Sequence, residues 1–124
     1  MIDFKNAEYL KLRTVKEESF LSVIQGFMIP NEQIIGTFKG VRDGVVFTTH
    51  RIVIINVKGL TGKKQDYTSL PYSKIQVFSA ETAGVVDLDS ELELWFSGLG
   101  RVKLEFSAGT DIKQIAKKIS ERIL

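Results

Sequence analysis

One short segment carries the residue types that could hold an anion: Lys58-Gly59-Leu60-Thr61-Gly62-Lys63-Lys64. Its two glycines allow backbone N–H groups to turn toward one point, and its lysines add the positive charge that a phosphate or a lipid headgroup requires. The spacing is not that of a P-loop, because GxxxxGK[ST] would need glycine where the chain has Val57. The sequence leaves two readings, a solvated hairpin loop or an anion site built from Lys58, Gly59, Gly62, Lys63 and Lys64.

A second group of charged residues lies further along the chain: Asp87, Asp89, Glu91 and Glu93. A calcium loop of the EF-hand type would require glycine where the chain has Leu92. Glu91 and Glu93 fall on one face of a predicted strand, where Arg101 or Lys103 is the expected partner. These carboxylates therefore predict a solvated rim and no metal site.

Catalytic constellations are not apparent in the sequence. The chain has no cysteine and one histidine, His50, so thiolate metal sites, cysteine nucleophiles and paired-histidine sites are excluded. His50 lies in a predicted turn, and no GxSxG motif supplies a serine nucleophile for it. The sequence predicts a protein that is not an enzyme and has no cofactor.

Composition and charge describe an ordinary globular domain. The 124 residues are 44% hydrophobic and 26% charged, with a net charge of +2. This surplus is too small to predict nucleic-acid binding. We find no apolar run typical of a signal peptide or a membrane span, and the absence of cysteine weakly favours the cytoplasm. The expectation is one compact, soluble, cytoplasmic domain.

The elements that would position these residues are mostly strands. Patterns of β-branched, aromatic and alternating residues predict seven of them, at 34–42, 45–48, 51–57, 64–69, 74–80, 91–97 and 101–107. Asp43-Gly44 predicts a type I′ turn between the first two strands. The third contains Ile52-Val53-Ile54-Ile55, which is apolar on both faces and should be covered on both sides.

Helices are predicted at both ends of the strand region. At the C-terminal end, Ile112, Ile115, Ile119 and Ile123 form an apolar stripe behind a Thr110-Asp111 cap. Near the N-terminus, a capping box from Thr14 to Glu17 begins a predicted helix over 15–26, preceded by either another helix or an extended arm. The predicted division is an N-terminal helical extension over 1–30 and a mainly β domain over 31–124.

This order of elements predicts a mainly β fold, either two packed sheets or a partly open antiparallel barrel closed by the C-terminal helix. The sequence also resembles the bacterial pleckstrin-homology (PH) domains over roughly residues 33–124. The resemblance rests on VRDGVVFTTHR at 41–51, GLTGKK at 59–64, LPYSKI at 70–75, ETAG at 81–84 and DLDSELELW at 87–95.

The resemblance implies a seven-stranded PH-like barrel without enzymatic activity that assembles into ring-like homo-oligomers in the bacterial cytoplasm. It does not carry lipid specificity, because Lys39 and Arg42 flank a short turn in which Asp43 offsets one positive charge. The expected partner is therefore a second copy of the chain or another protein, and anionic lipid is the alternative.

Trp95 and Tyr72 are the candidate interface residues. Alternation places Trp95 opposite Leu94 and Phe96, on a face where an indole would be exposed unless something covers it. The cover could be the N-terminal helix or a neighbouring subunit. Arg51 and Asp43 are expected to form a local ion pair on the first three strands.

Overall fold

A computed structural model describes residues 2–124 of the chain. Two α-helices, eight strands and one short 3-10 helix follow one another along the described residues. Their bounds are β1 Glu8–Thr14, α1 Glu18–Ile24, β2 Ile34–Lys39, β3 Gly44–Thr48, β4 Arg51–Lys58, β5 Lys64–Pro71, the 3-10 helix Tyr72–Lys74, β6 Ile75–Glu81, β7 Ser90–Phe96, β8 Gly100–Phe106 and α2 Ile112–Ile123.

The described strands form one curled sheet in the order β5-β4-β3-β2-β1-β8-β7-β6, a half-barrel closed by α2. The meanders β2–β5 and β6–β8 are antiparallel. Strand β1 joins them, pairing antiparallel with β2 and parallel with β8. The mainly β fold is confirmed, but the predicted seven-stranded, wholly antiparallel sheet is corrected to eight strands with one parallel pair.

The additional strand comes from the N-terminal segment. Residues 8–14 lack the alternation of a strand with one buried face, and Leu12 is their only fully buried side chain. Lys11 has a φ of 55°, and the register with β8 shifts between Tyr9 and Leu12. A bulge of this kind interrupts the period of two from which strands are predicted. The division of the chain at residue 30 stays a prediction, although β1 belongs to the sheet.

Helix α1 covers the outer face of β3 and β4. Its Phe20 and Ile24 pack against Val46, Val53 and Ile55 in a small apolar cluster. This confirms that the third predicted strand is covered on both faces. The helix is shorter than the predicted 15–26, and the predicted capping box is wrong, because Thr14 lies in β1 and no side chain caps α1.

The main core fills the concave side of the sheet. Buried residues from β1 to β8 pack together with Ile112 and Ile119 of α2. The Asp111 carboxylate accepts a hydrogen bond from the N–H of Gln114 at 3.1 Å, which confirms the predicted cap. In β7 and β8 the predicted inward residues are all buried.

The turn between β2 and β3 differs from the predicted one. Residues 40–43 form the turn, and the Gly40 N–H donates to the Asp43 carbonyl at 2.9 Å. Neither Asp43 nor Gly44 has a positive φ, so a type I′ turn is excluded. Glycine is required at 44 for packing instead, since an added Cβ would lie 2.5 Å from the Phe20 ring.

Candidate interaction surfaces

The predicted anion loop is a glycine turn whose backbone is already partly bonded. Gly59 and Gly62 have φ values of 77° and 68°, which glycine adopts without strain. The Gly62 N–H points to the Gly59 carbonyl at 3.4 Å, and the Lys63 N–H points to Thr61 Oγ1 at the same distance. Arg42 Nη2 also donates to the Gly59 carbonyl at 2.6 Å. Two of the N–H groups that an anion would use therefore have partners within the loop.

The three lysines of the loop differ in their surroundings. Lys58 forms an ion pair with Asp66, with 2.7 Å between Nζ and Oδ2, and this contact lowers the pKa of the carboxyl group. Neither Lys63 nor Lys64 has an ion-pair partner within residues 2–124. The charge available to an external anion at this loop comes from Lys63 and Lys64.

Three further cations line a surface cleft at the base of the loop. Arg13, Lys39 and Arg42 reach it from β1, β2 and the β2–β3 turn, and no carboxylate lines it. Arg13 Nη1 donates to the Gly40 carbonyl at 3.1 Å, which fixes its guanidinium against the turn. Lys39 and Arg42 were apparent from the sequence, whereas Arg13 was not, because it lies in the strand that the pattern did not predict.

A buried ion pair joins Arg51 to Glu32, so the expected pair between Arg51 and Asp43 is wrong. Arg51 Nη2 lies 2.6 Å from Glu32 Oε1, and its Nε donates to Oε2 at 2.8 Å. The Asp43 carboxylate instead accepts the Val57 N–H at 3.0 Å. The bidentate contact fixes the loop after α1 to the β3–β4 hairpin.

The surroundings of this pair are part apolar and part hydrogen-bonded. The Glu32 side chain has 0% exposure, and Thr48 Oγ1 donates to its Oε2 at 2.6 Å. Bonding to Arg51 and Thr48 lowers the pKa of Glu32 to about 2. The Arg51 guanidinium lies 5.2 Å from the centre of the Phe27 ring, which stacks on Tyr67. This cluster ties α1 and its following loop to the sheet.

The acidic residues face basic partners across the sheet. Glu91 contacts Lys103 at 3.3 Å and Glu93 contacts Arg101 at 3.4 Å, as predicted. Asp89 contacts Lys11 of β1 at 2.7 Å. These pairs make the rim predicted from the sequence. His50 is exposed in its two-residue turn, where Nδ1 lies 2.8 Å from Thr49 Oγ1.

Trp95 is half-buried on the convex face of the sheet. It lies in register with Val77 of β6 and Arg101 of β8, and Val77 is 55% exposed. Helix α1 does not cover this face, since its apolar contacts are with β3 and β4. The alternative in which the N-terminal helix packs on Trp95 is therefore wrong. Val77, the neighbour that extends the apolar surface, was missed because it was read only as part of a strand.

Tyr72 lies inside the main core. It is 2% exposed, and its hydroxyl donates to the Thr48 carbonyl at 2.7 Å. Burial raises the pKa of this phenol well above its ordinary value. The ring packs at the junction of β5 and β6, and almost none of its surface is open to a partner chain.

A family model described as "Bacterial PH domain" matches residues 3–123, almost the whole chain. The chain belongs to the bacterial PH domain family. The match begins near the N-terminus, so it includes β1 and α1, which the sequence analysis placed outside the resemblance.

Individual relatives agree with this assignment. Uncharacterized protein YjqA of Bacillus subtilis (strain 168) is 40% identical over 117 residues, which cover 93% of this chain and 90% of the relative. A DUF1696 family protein with a pleckstrin-homology domain from Shewanella loihica PV-4 superposes with a TM-score of 0.79 at 37% identity, covering 93% and 99% of the two chains.

A second solved structure, a pleckstrin-homology domain from Shewanella amazonensis SB2B, has a TM-score of 0.65 at 39% identity and covers 89% and 90% of the two chains. Both solved structures support a PH-like fold for this bacterial PH domain. Among residues 2–124, no helix is long and apolar enough to cross a membrane.

Proposed function

We propose that this bacterial PH domain is a non-enzymatic interaction module that assembles with copies of itself into a closed ring, in the cytoplasm. The observation that carries the proposal is the uncovered apolar strip of Trp95 and Val77 on the convex face. The opposite end of the same face carries a helix, so the strip is the part of the sheet that a partner chain would cover.

The ends of the sheet support the same proposal. Strands β5 and β6 are its two edges, and each pairs with a neighbouring strand on one side. Unpaired N–H and C=O groups at an edge are able to bond to another chain. Strand β6 also carries Val77, so an edge and an apolar strip adjoin each other on one hairpin.

A ring needs two different surfaces on each subunit. A contact in which one patch meets an identical patch ends as a dimer, whereas a head-to-tail contact closes only when the rotation completes a circle. The asymmetry of the two sheet ends favours the head-to-tail form, which agrees with the ring-like assembly that the family resemblance implies.

The test is the solution mass of the wild-type protein and of Trp95→Ala, measured by light scattering at several concentrations. We expect a large species for the wild type that does not depend on concentration, and its loss in a folded variant. Trp and Tyr are enriched among the residues that dominate interfaces, and such residues contribute about 2 kcal/mol or more. A variant that is folded and still fully assembled would remove Trp95 from the interface, and a monomeric wild type would contradict the ring.

A second candidate function is the binding of an anionic ligand or phospholipid headgroup at the Gly59–Lys64 loop. The specific observation that favours it is the set of cations without a carboxylate in the adjoining cleft: Arg13, Lys39 and Arg42. Lys63 and Lys64 would meet the same ligand from the loop, and their attraction would weaken with salt.

Flotation with phosphatidylserine vesicles tests this candidate at low and at physiological salt. Binding that falls on replacing Lys63 and Lys64 with alanine, and that falls with salt, supports it. Lys113→Ala with Lys117→Ala, two exposed lysines on α2, is a control of equal charge. Wild-type protein that does not bind these vesicles at low salt would eliminate the lipid form of the candidate.

A further inference from the structure

The connection between β6 and β7 presents apolar side chains to solvent at its tip. Val85 and Val86 are 97% and 95% exposed, and Leu88 is more than half exposed. Scattered exposed hydrophobic residues are common on proteins, but contiguous apolar patches are typical of surfaces that bind a partner. This loop belongs to the hairpin that also carries Val77 and Trp95.

A backbone hydrogen bond closes the tip of the loop. The Gly84 N–H donates to the Asp87 carbonyl at 2.7 Å, so Val85 and Val86 occupy the two positions at the tip. Asp87 Oδ1 accepts the Asp89 N–H at 3.1 Å, and Asp89 is held by Lys11 of β1. A partner would therefore meet a preformed apolar knob, which reduces the entropy lost on binding.

A cleft that is also lined by apolar side chains opens between β2 and α2. Its volume is about 220 Å³, and its floor includes Ile35, Phe38, Ile115 and Ile119. A cavity of about 150 Å³ lined by aliphatic and aromatic side chains is able to hold a benzene molecule. The cleft is thus large enough for branched aliphatic side chains, and no residue of the β6–β7 loop of the same chain lines it.

The charges around the two features are opposite. The loop and the end of β6 carry Glu81, Asp87 and Asp89 and no basic residue. Helix α2 carries Lys113, Lys117, Lys118 and Arg122 against Glu121, and Lys118 lines the cleft. Asp111, the carboxylate in the cleft lining, accepts the Gln114 N–H and keeps its negative charge, so the net positive charge comes from the lysines and Arg122 of α2. Complementary charge of this kind fixes the orientation of a contact and excludes unsuitable partners.

We infer that the tip of the β6–β7 loop, Val85-Val86, inserts into the β2–α2 cleft of a second copy of this chain. The inference rests on the proposed self-assembly and assigns its two surfaces. The apolar tip fills the cleft, and the loop carboxylates lie toward the lysines of α2. Because the loop and the cleft are different surfaces of one chain, each subunit has one knob and one cleft free for the next.

The first experiment compares the masses of the wild type and of V85D/V86D by light scattering. Both valines are almost fully exposed, so the substitutions leave the fold intact, and circular dichroism and the melting temperature verify this. We expect the large species to be lost and the mass of a single chain to remain. Leu60→Asp is the matched control, because Leu60 is an equally exposed aliphatic residue in another loop; it should assemble as the wild type does.

The second experiment mixes two variants that cannot assemble alone. Q114E/K118E places negative charge in the cleft on residues at the helix surface, whereas V85D/V86D removes the knob. Each should be monomeric by itself. Their mixture retains one intact knob and one intact cleft, so it should form a species of two chains and stop there.

The possible outcomes separate this inference from the proposed function. An oligomeric wild type with assembled V85D/V86D would overturn the knob-and-cleft contact and leave the ring to other surfaces. Two monomeric variants whose mixture gives no dimer would overturn the pairing of these two surfaces. A monomeric wild type would overturn both the ring and this contact.

Discussion

The convex face of the sheet carries apolar side chains at both ends, but a helix covers only one of these ends. On β3 and β4, outward side chains such as Val46, Val53 and Ile55 are fully covered by α1. On β6 and β7, Val77 is half exposed and Trp95 has no helix over it. Burial of apolar area stabilises by about 25 cal/mol per Å² wherever the covering element comes from. The difference shows that one end is covered within the chain and that the other is open to solvent.

The two ends also differ in how deeply their ion pairs are buried. Next to α1, Arg51 and Glu32 form a buried pair that holds the loop following the helix to the β3–β4 hairpin. Around Trp95, the pairs Glu93–Arg101 and Glu91–Lys103 are partly exposed, and such pairs contribute little to stability. Changes at the α1 end should therefore alter the stability of the monomer, and changes at the Trp95 end should alter assembly.

The largest effect is expected from Phe20→Ala. This ring is buried between α1 and the sheet, and truncation of a buried aromatic residue costs about 4 kcal/mol of the free energy of unfolding. Urea denaturation should show a large fall in the midpoint. An unchanged midpoint would mean that α1 is not docked, and the comparison between the two ends would fail.

A somewhat smaller effect is expected from Glu32→Gln. The variant leaves Arg51 buried without its counter-charge, which should cost about 3 kcal/mol near neutral pH. The pKa of Glu32 is lowered in the fold from an ordinary 4.5 to about 2, so its contribution is complete above pH 4.5 and is lost as the pH falls toward 2.

Unfolding curves across that pH range provide the measurement. The wild type should lose stability more steeply than Glu32→Gln between pH 4.5 and 2, and the two should converge at the acid end. Glu121→Gln, an exposed carboxylate on α2, is the control that should follow the wild type. Parallel curves for wild type and Glu32→Gln would contradict the buried pair.

Gly44→Ala tests the close contact between α1 and the start of β3. The new Cβ would lie 2.5 Å from the Phe20 ring, so the ring or the helix that carries it must shift, at about 2 kcal/mol. Gly26→Ala is a suitable control, since nothing lies within 4 Å of its added Cβ. Thermal melts of the two variants give the comparison, and equal melting temperatures would show that α1 does not press on Gly44.

The smallest effect on stability is expected at the other end of the face. Val77→Ser changes an exposed side chain, so the free energy of unfolding of the monomer should change by less than about 0.5 kcal/mol. Assembly of the same variant should nevertheless weaken, seen as a midpoint of dissociation at higher protein concentration. A strongly destabilised monomer would place Val77 in the intrachain packing, and the two ends of the face would then not differ in this respect.

Most of the sheet was predictable because its signals are local. Strict alternation in β7 and β8, and the doubly apolar run in β4, follow directly from which faces are buried. Strand β1 was not predictable, because its bulge at Lys11 disrupts the period and its partners, β2 and β8, are distant in sequence. Pairing between strands that are distant in sequence produces no local pattern in either strand.

The candidate sites were likewise predictable only where their signals are local in sequence. The sequence indicated Trp95 by its place in an alternating strand, and the basic loop by its glycines and lysines. The pairing of Arg51 with Glu32 could not be predicted, because Glu32 lies in a loop without periodicity. Val85 and Val86 carried one usable signal: two adjacent β-branched residues between Gly84 and Asp87, in a turn that would normally be polar.

Strand β1 also has a consequence for biosynthesis. The β2–β5 and β6–β8 meanders are made of neighbours in sequence and are able to form as soon as they leave the ribosome, whereas Glu8 pairs with Lys103. During translation, the backbone N–H and C=O groups on the β8 side of β1 therefore have no strand partner until β8 emerges. Closure of such a distant pair is slow compared with hairpin formation. The nascent chain thus exposes a temporary strand edge in the middle of its future sheet, where premature pairing with a neighbouring nascent chain would compete with β8.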